Sequence, residues 1–137
     1  MAVRIIKKVP FVLQLHEAYK AGKHYDLRLQ YPYKSKLSSW VLPRAHLPSP
    51  GNNILAVRTP DHSKTWLKFQ GEIPRGEYGG GRVTITQRGM ADILMWTDRL
   101  ITFVVSGRPM NGKFALAKMK ITRKQELWIF IKAKAVE

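Results

Sequence analysis

The chain has 137 residues, 45% of them hydrophobic, which is one domain's length with enough apolar content for a real core. Its 24 Lys and Arg against 9 Asp and Glu give a formal charge of +15, spread from Arg4 to Lys134, so the folded body itself attracts polyanions, nucleic acid first. The lack of cysteine excludes disulfides, zinc ribbons and thiol catalysis. The lack of a span-length apolar run or a signal-peptide core at residues 1–8 points to a cytoplasmic protein that does not meet a membrane.

In chain order, residues 1–10 form an N-terminal arm ahead of a core expected over residues 11–132. Residues 11–15 read as a strand that ends against His16. Residues 17–23 are the one stretch that could make a short helix. Residues 24–31 alternate polar and apolar strictly, the period of a strand. Residues 37–42 form another, after which Pro43 and Arg44 mark where the chain leaves it. Residues 48–53 are a surface loop, and the strand 54–58 runs into the turn Pro60-Asp61-His62. The glycine-rich cluster 71–81 is not a P-loop, since no Gly-Lys-Ser/Thr follows. It predicts a compound turn with positive φ angles, in which Glu72 or Glu77 could anchor the turn or pair with a site arginine. Strands are then expected at 82–87, 91–95, 100–105, 113–118 and 127–132. In the last third Phe103, Val105, Phe114, Leu116, Trp128, Phe130 and Ile131 read as core, and Trp40 and Trp96 are core rather than base-stacking platforms. Many short strands with turn signals predict an all-β fold: a single compact β-barrel of about eight strands with one or two short helices, residues 1–137 forming one domain.

Chemistry concentrates on few residues. On a strand, His24, Asp26 and Arg28 share one face, with Tyr25, Leu27 and Leu29 on the other. With His16, two imidazoles and a carboxylate form a ligand set for Mn²⁺, Fe²⁺ or Zn²⁺ and disfavour Mg²⁺. Arg28 presents a fork that fits two phosphate oxygens. His62 could protonate a leaving oxygen or stabilise charge on a phosphoryl group. Arg44 and Arg58 are candidates to face a nucleic-acid phosphate. The same letters fit a non-haem Fe(II) oxygenase. Against that stand the short chain, the lack of a residue for an organic-acid cosubstrate, and the charge.

Several ordered segments carry a resemblance: Phe-Val-Leu-Gln-Leu-His (11–16), His-Tyr-Asp-Leu-Arg-Leu (24–29), Ser-Trp-Val-Leu-Pro-Arg (39–44), Leu-Ala-Val-Arg-Thr-Pro-Asp-His (55–62) and Gly-Glu-Ile-Pro-Arg-Gly-Glu-Tyr-Gly (71–79). Ser-Gly-Arg-Pro-Met-Asn-Gly-Lys-Phe-Ala-Leu (106–116) and Trp-Ile-Phe-Ile-Lys (128–132) follow in the same order. The chain resembles the 3′-phosphoesterase domain of bacterial DNA ligase D and its free-standing archaeal relatives. The resemblance implies a β-barrel enzyme, dependent on Mn²⁺ with Zn²⁺ or Co²⁺ as substitutes, that trims DNA 3′ ends in non-homologous end joining. It removes a 3′-terminal ribonucleoside, and in many members the remaining phosphate, to leave a ligatable 3′-hydroxyl. His16, His24 and Asp26 look like the metal ligands, and Arg28 and His62 like the pair that holds and activates the phosphate. Gln14 matches a glutamine beside the site, Arg44 a basic substrate contact, and Trp66 a position that is commonly tyrosine. Implied partners are DNA or RNA-terminated primer–template 3′ ends, a repair polymerase, an ATP-dependent DNA ligase and a Ku-type end-binding protein, the chain itself being a monomer. Pro60 stands where glutamate is common and Ile54 where a basic residue is. The His16–His24 spacing is two residues longer than usual, which predicts a bulge around residues 19–23. A non-catalytic end-binding module that scaffolds a polymerase and ligase is the alternative.

Overall fold

Apolar residues at every second position of consecutive strands give each strand one face that must be buried, and a sheet rolled on itself buries all of them at once. The computed structural model describes residues 4–134. Nine strands form one antiparallel sheet: β1 (Lys7–Ala18), β2 (Gly22–Gln30), β3 (Leu37–Pro43), β4 (Ile54–His62), β5 (Gly71–Ile73), β6 (Gly81–Trp96), β7 (Leu100–Val105), β8 (Gly112–Ile121) and β9 (Glu126–Lys132). Their order is β1-β2-β3-β4-β9-β8-β7-β6, and β1 pairs back onto β6, so eight strands close a barrel. The short β5 adds to the free side of β6 at its start.

The barrel interior is filled by Phe11, Leu13, Leu27, Leu29, Trp40, Leu42, Ile93, Phe103, Phe114, Leu116, Trp128 and Phe130, all buried. Phe103 stacks on Phe114 and Phe130, while Trp40 meets Trp128 edge-on and Trp96 closes one side of the group. The core reading of the tryptophans therefore stands. Ile131 is the exception: it alternates with Phe130, points away from the interior and is half-buried.

On β1, β2 and β3 the outer face is buried too. Runs such as Phe11 to Gln14, Asp26 to Leu29 and Leu37 to Trp40 have no exposed member. The reason is the segment between β4 and β6. It leaves β4 at His62, makes a 3₁₀ turn (Lys64–Leu67), crosses the outside of β1 and returns through β5 and the glycine-rich turn.

Four expectations need correction. Residues 17–23 are not helical: β1 and β2 pair without interruption to Ala18↔Gly22 and are joined by a three-residue loop. Gly22 has φ 75°, the left-handed conformation that closes such a hairpin. The long spacing is thus absorbed by lengthening the hairpin, and the predicted bulge is absent from its register. Strands 82–87 and 91–95 are one, β6, which carries Gly89 in its middle. The arm is not separate either: Lys7 to Pro10 belong to β1, with Pro10 tolerated where β1 has a neighbour on one side only. Residues 1–3 lie outside the described part.

Candidate metal and phosphate site

The site lies on the outer wall of the barrel. Gln14 and His16 follow, in alternation, the core residues Phe11 and Leu13 of β1; His24, Asp26 and Arg28 alternate with Leu27 and Leu29 on β2. Register does the rest: His16 is opposite His24, Gln14 opposite Asp26, and Arg28 opposite Ser39 of β3.

His62 reaches the same wall through a bulge. Ser39 pairs with Thr59 but Leu37 pairs with His62, so the one residue Ser38 of β3 faces two of β4, Pro60 and Asp61. The extra residue resets the alternation. Were residues 59–62 to alternate regularly, His62 would share the inward parity of Arg58, whose guanidinium packs 4.7 Å from the Trp40 ring centroid.

His16, His24 and Asp26 offer three ligand atoms within 4.8 Å of one another. His16 Nδ1 and His24 Nε2 each lie 3.4 Å from the same oxygen, Asp26 Oδ2. The opposite ring nitrogens have other partners. His16 Nε2 donates to the Gly79 carbonyl at 2.7 Å, and His24 Nδ1 donates to the Gly22 carbonyl at 3.2 Å. A neutral ring that gives its proton to a carbonyl turns its lone pair to the other side. With both rings neutral, two lone pairs and a carboxylate converge, an arrangement that a divalent cation would resolve. The donor set therefore fits a transition-metal ion with open positions.

Without a cation, protons take its place. Burial acts to raise the Asp26 carboxyl, but hydrogen bonds from His16 and His24 and the charge of Arg28 outweigh it and hold Asp26 far below the usual carboxylate range. Its hydrogen bond to Asp26 raises His16 above an ordinary imidazole, against the opposing effect of burial. Without a cation the site thus favours a proton on the His16 nitrogen that faces Asp26.

Arg28 sits beside the carboxylate and is buried, with Nη2 3.7 Å from Asp26 Oδ2. Nε donates to Gln14 Oε1 at 2.8 Å, and Nη1 donates to Ser39 Oγ at 3.0 Å and to His62 Nδ1 at 3.2 Å. Burial and the Arg28 charge both lower the His62 pKa, so His62 is neutral, and its Nδ1, as the acceptor, leaves the proton on Nε2. Trp66 backs both groups: its ring centroid is 4.9 Å from the Arg28 guanidinium and 5.1 Å from the His62 ring.

Gln14 is fully buried, and its amide ties the layers together. Oε1 holds Arg28, while Nε2 donates to the carbonyls of Trp66 and Phe69 at 2.9 and 3.0 Å. Gln14 therefore presents no free donor to a ligand and positions Arg28 instead. Arg44 is exposed one residue past Pro43, which pairs with His24; among the described residues nothing ties it to the network. Arg58 lies at the rim, bonded to Asp61 at 2.9 Å. Glu72 pairs with Arg82 at 2.8 Å on the surface, not with Arg28. Ser39 and the Gly22 and Gly79 carbonyls are the members that the sequence reading missed. A small hydroxyl in the apolar run Leu37-Ser38-Ser39-Trp40 was the available signal for the first.

Comparison with known proteins fits this geometry. A family model described as the DNA ligase D 3′-phosphoesterase domain matches residues 14–118. The chain is 31% identical over 134 residues to the multifunctional non-homologous end joining protein LigD of Pseudomonas aeruginosa, covering 90% of this chain and 15% of that protein. It is 42% identical over 121 residues to the protein of the same description from Mycolicibacterium smegmatis, covering 80% and 15%. A Mycobacterium tuberculosis relative, a multifunctional non-homologous end joining DNA repair protein, is 35% identical over 113 residues, 79% of this chain and 14% of the relative. The chain thus spans about a seventh of the length of these relatives. It belongs to the family of the DNA ligase D 3′-phosphoesterase domain.

Proposed function

We propose that this protein is a Mn²⁺-dependent phosphoesterase of DNA end repair, which removes 3′-terminal ribonucleosides, and then 3′-phosphates, to leave a 3′-hydroxyl for ligation. The observation that carries the reading is the adjacency of two different binding groups on one buried wall: a cation-ready His16/His24/Asp26 cluster and the Arg28–His62 pair. The membership in a phosphoesterase family and the +15 charge support it.

His16, His24 and Asp26 would hold the ion, which supplies Lewis-acid neutralisation of phosphate charge. Arg28 has its Nε and Nη1 hydrogens committed within the protein, so Nη2 is the donor left for a phosphate oxygen. His62 acts as a neutral donor through Nε2–H and stabilises charge as the bond to the leaving oxygen breaks. Of the two roles open to His62, charge stabilisation fits better than proton donation, because Arg28 disfavours the imidazolium. Trp66 packs against both groups, edge-on to the His62 ring, and would hold them in place without a hydroxyl of its own. In the ribonucleoside step the neighbouring 2′-hydroxyl is the proposed nucleophile. Repair polymerase, ATP-dependent ligase and Ku-type proteins are the proposed functional partners.

The test is a 5′-labelled primer–template whose primer ends in one ribonucleotide, incubated with Mn²⁺ or EDTA beside an all-deoxy control. Shortening that requires both Mn²⁺ and the ribonucleotide is the expected result. Tight binding with no shortening would instead make the protein an end-binding module.

A further inference from the structure

The face that carries the site continues along β2. His24, Asp26 and Arg28 are followed at the same period by Gln30, about 6.6 Å beyond Arg28. Gln30 opens onto a cleft of about 480 Å³ that is also lined by Lys7, Tyr33, Lys34 and Lys64. Lys64 lies two residues past His62, at the start of the 3₁₀ turn. The Lys7 ammonium is held in place by donating to the Pro32 carbonyl at 2.8 Å, which leaves it two further hydrogens. Gln30 Oε1 is buried and has no hydrogen-bond partner. Tyr33 stands 64% exposed at the rim. No carboxylate lines the cleft among the described residues, and the nearby Lys36 is neutralised by Asp61 at 2.9 Å. Three lysines with no carboxylate partner among the described residues, beside an exposed aromatic ring that Tyr31 braces edge-on at 5.4 Å, make the combination that tracks a single nucleic-acid strand.

We propose that this cleft is a second backbone subsite, which takes the phosphodiester next upstream of the one held by Arg28 and His62, with Tyr33 stacking on the adjoining base. The assignment rests on the 3′-end reading above. It makes the enzyme an exo-acting one whose grip on the penultimate linkage sets which bond meets the site.

The test is binding, and so needs no turnover. An all-deoxy single strand of twelve nucleotides with a 3′-hydroxyl is titrated by fluorescence anisotropy in Mn²⁺ at several salt concentrations. K34A/K64A should weaken binding at least tenfold and flatten the salt dependence by roughly 1.4 in logarithmic slope, two lost contacts at about 0.7 each. K113A/K134A, which removes two exposed charges from the far end of the β8–β9 pair, should change affinity less than twofold. A neutral methylphosphonate at the second linkage from the 3′ end should erase the difference between wild type and K34A/K64A. Equal losses for the two double variants, or a difference erased only by a neutral linkage elsewhere, would overturn the subsite. Wild-type protein that trims no ribonucleotide yet keeps the lysine-specific, second-linkage effect would sink the activity while the subsite stands. Trimming without a lysine effect would do the reverse.

Discussion

Each of the two histidines proposed as ligands has its free nitrogen chosen by a backbone carbonyl, Gly79 for His16 and Gly22 for His24. Losing either a ligand or Asp26 leaves buried polar groups facing one another without a cation. His16→Ala and Asp26→Asn should each lower Mn²⁺ affinity by at least roughly 100-fold, measured by calorimetry or by the Mn²⁺ paramagnetic signal. The titrations give a second expectation, for metal-free protein. The His16 pKa is raised, so its contribution to stability is complete below the ordinary imidazole value and is lost as pH rises through the raised one. The His62 pKa is lowered, so its contribution is complete above the ordinary value and is lost as pH falls through the lowered one. A melting-temperature profile should therefore decline on both sides of the ordinary imidazole range, losing its alkaline limb in His16→Ala and its acid limb in His62→Ala. Most of these residues were legible from letters alone, because strict alternation over residues 24–29 fixes which side chains share a face. The carbonyls were not, since any residue carries one. Ser39 was not either, since a buried serine reads as filler until its neighbour across the sheet is known to be Arg28.

Elements were read well where pairing follows the period and poorly where it breaks. The helix expected over residues 17–23 rested on Glu, Ala and Lys, good helix formers in too short a run. Hairpin pairing of β1 with β2 overrides such weak preferences, and Gly22 supplies the turn. The 3₁₀ turn was invisible because it has no side-chain cap, only the stacking of Trp66 and the grip of Gln14. The bulge between β3 and β4 leaves no sequence mark, although it decides where His62 points. Inserting one alanine between Asp61 and His62, which puts the alanine opposite Leu37, should turn His62 away from the wall. The expected outcome is end trimming reduced at least 100-fold with Mn²⁺ affinity kept within a few-fold. Glycine in the cluster 79–81 serves close approach: a Cβ on Gly81 would collide with the Glu17 carbonyl oxygen, at φ 143°. Gly81→Ala should cost about 1–3 kcal/mol in denaturant unfolding and weaken Mn²⁺ binding as well, since it shifts the Gly79 carbonyl that orients His16.

At the scale of the molecule, closure through β1 and β6 ties the site to the barrel. β1 carries Gln14 and His16 and also forms the seam. An ion bound there stabilises the folded barrel by mass action. Mn²⁺ at 100 times its dissociation constant should add about 2.7 kcal/mol to unfolding, and excess EDTA should return the melting temperature to the metal-free value. The barrel itself was foreseeable from nine short apolar runs with breakers between them. That the chemistry stands on its outer wall was not, because the covering segment 63–80 reads as loop and glycine turn. That segment also divides the chain. Every side chain brought together at the site falls between Gln14 and Trp66, whereas strands β7, β8 and β9 contribute to the interior and no side chain to the site. The two stretches should therefore drift at different rates in any large collection of functional variants. The later one should accept exchanges that keep total volume, and the earlier one should accept almost none along one face of each strand.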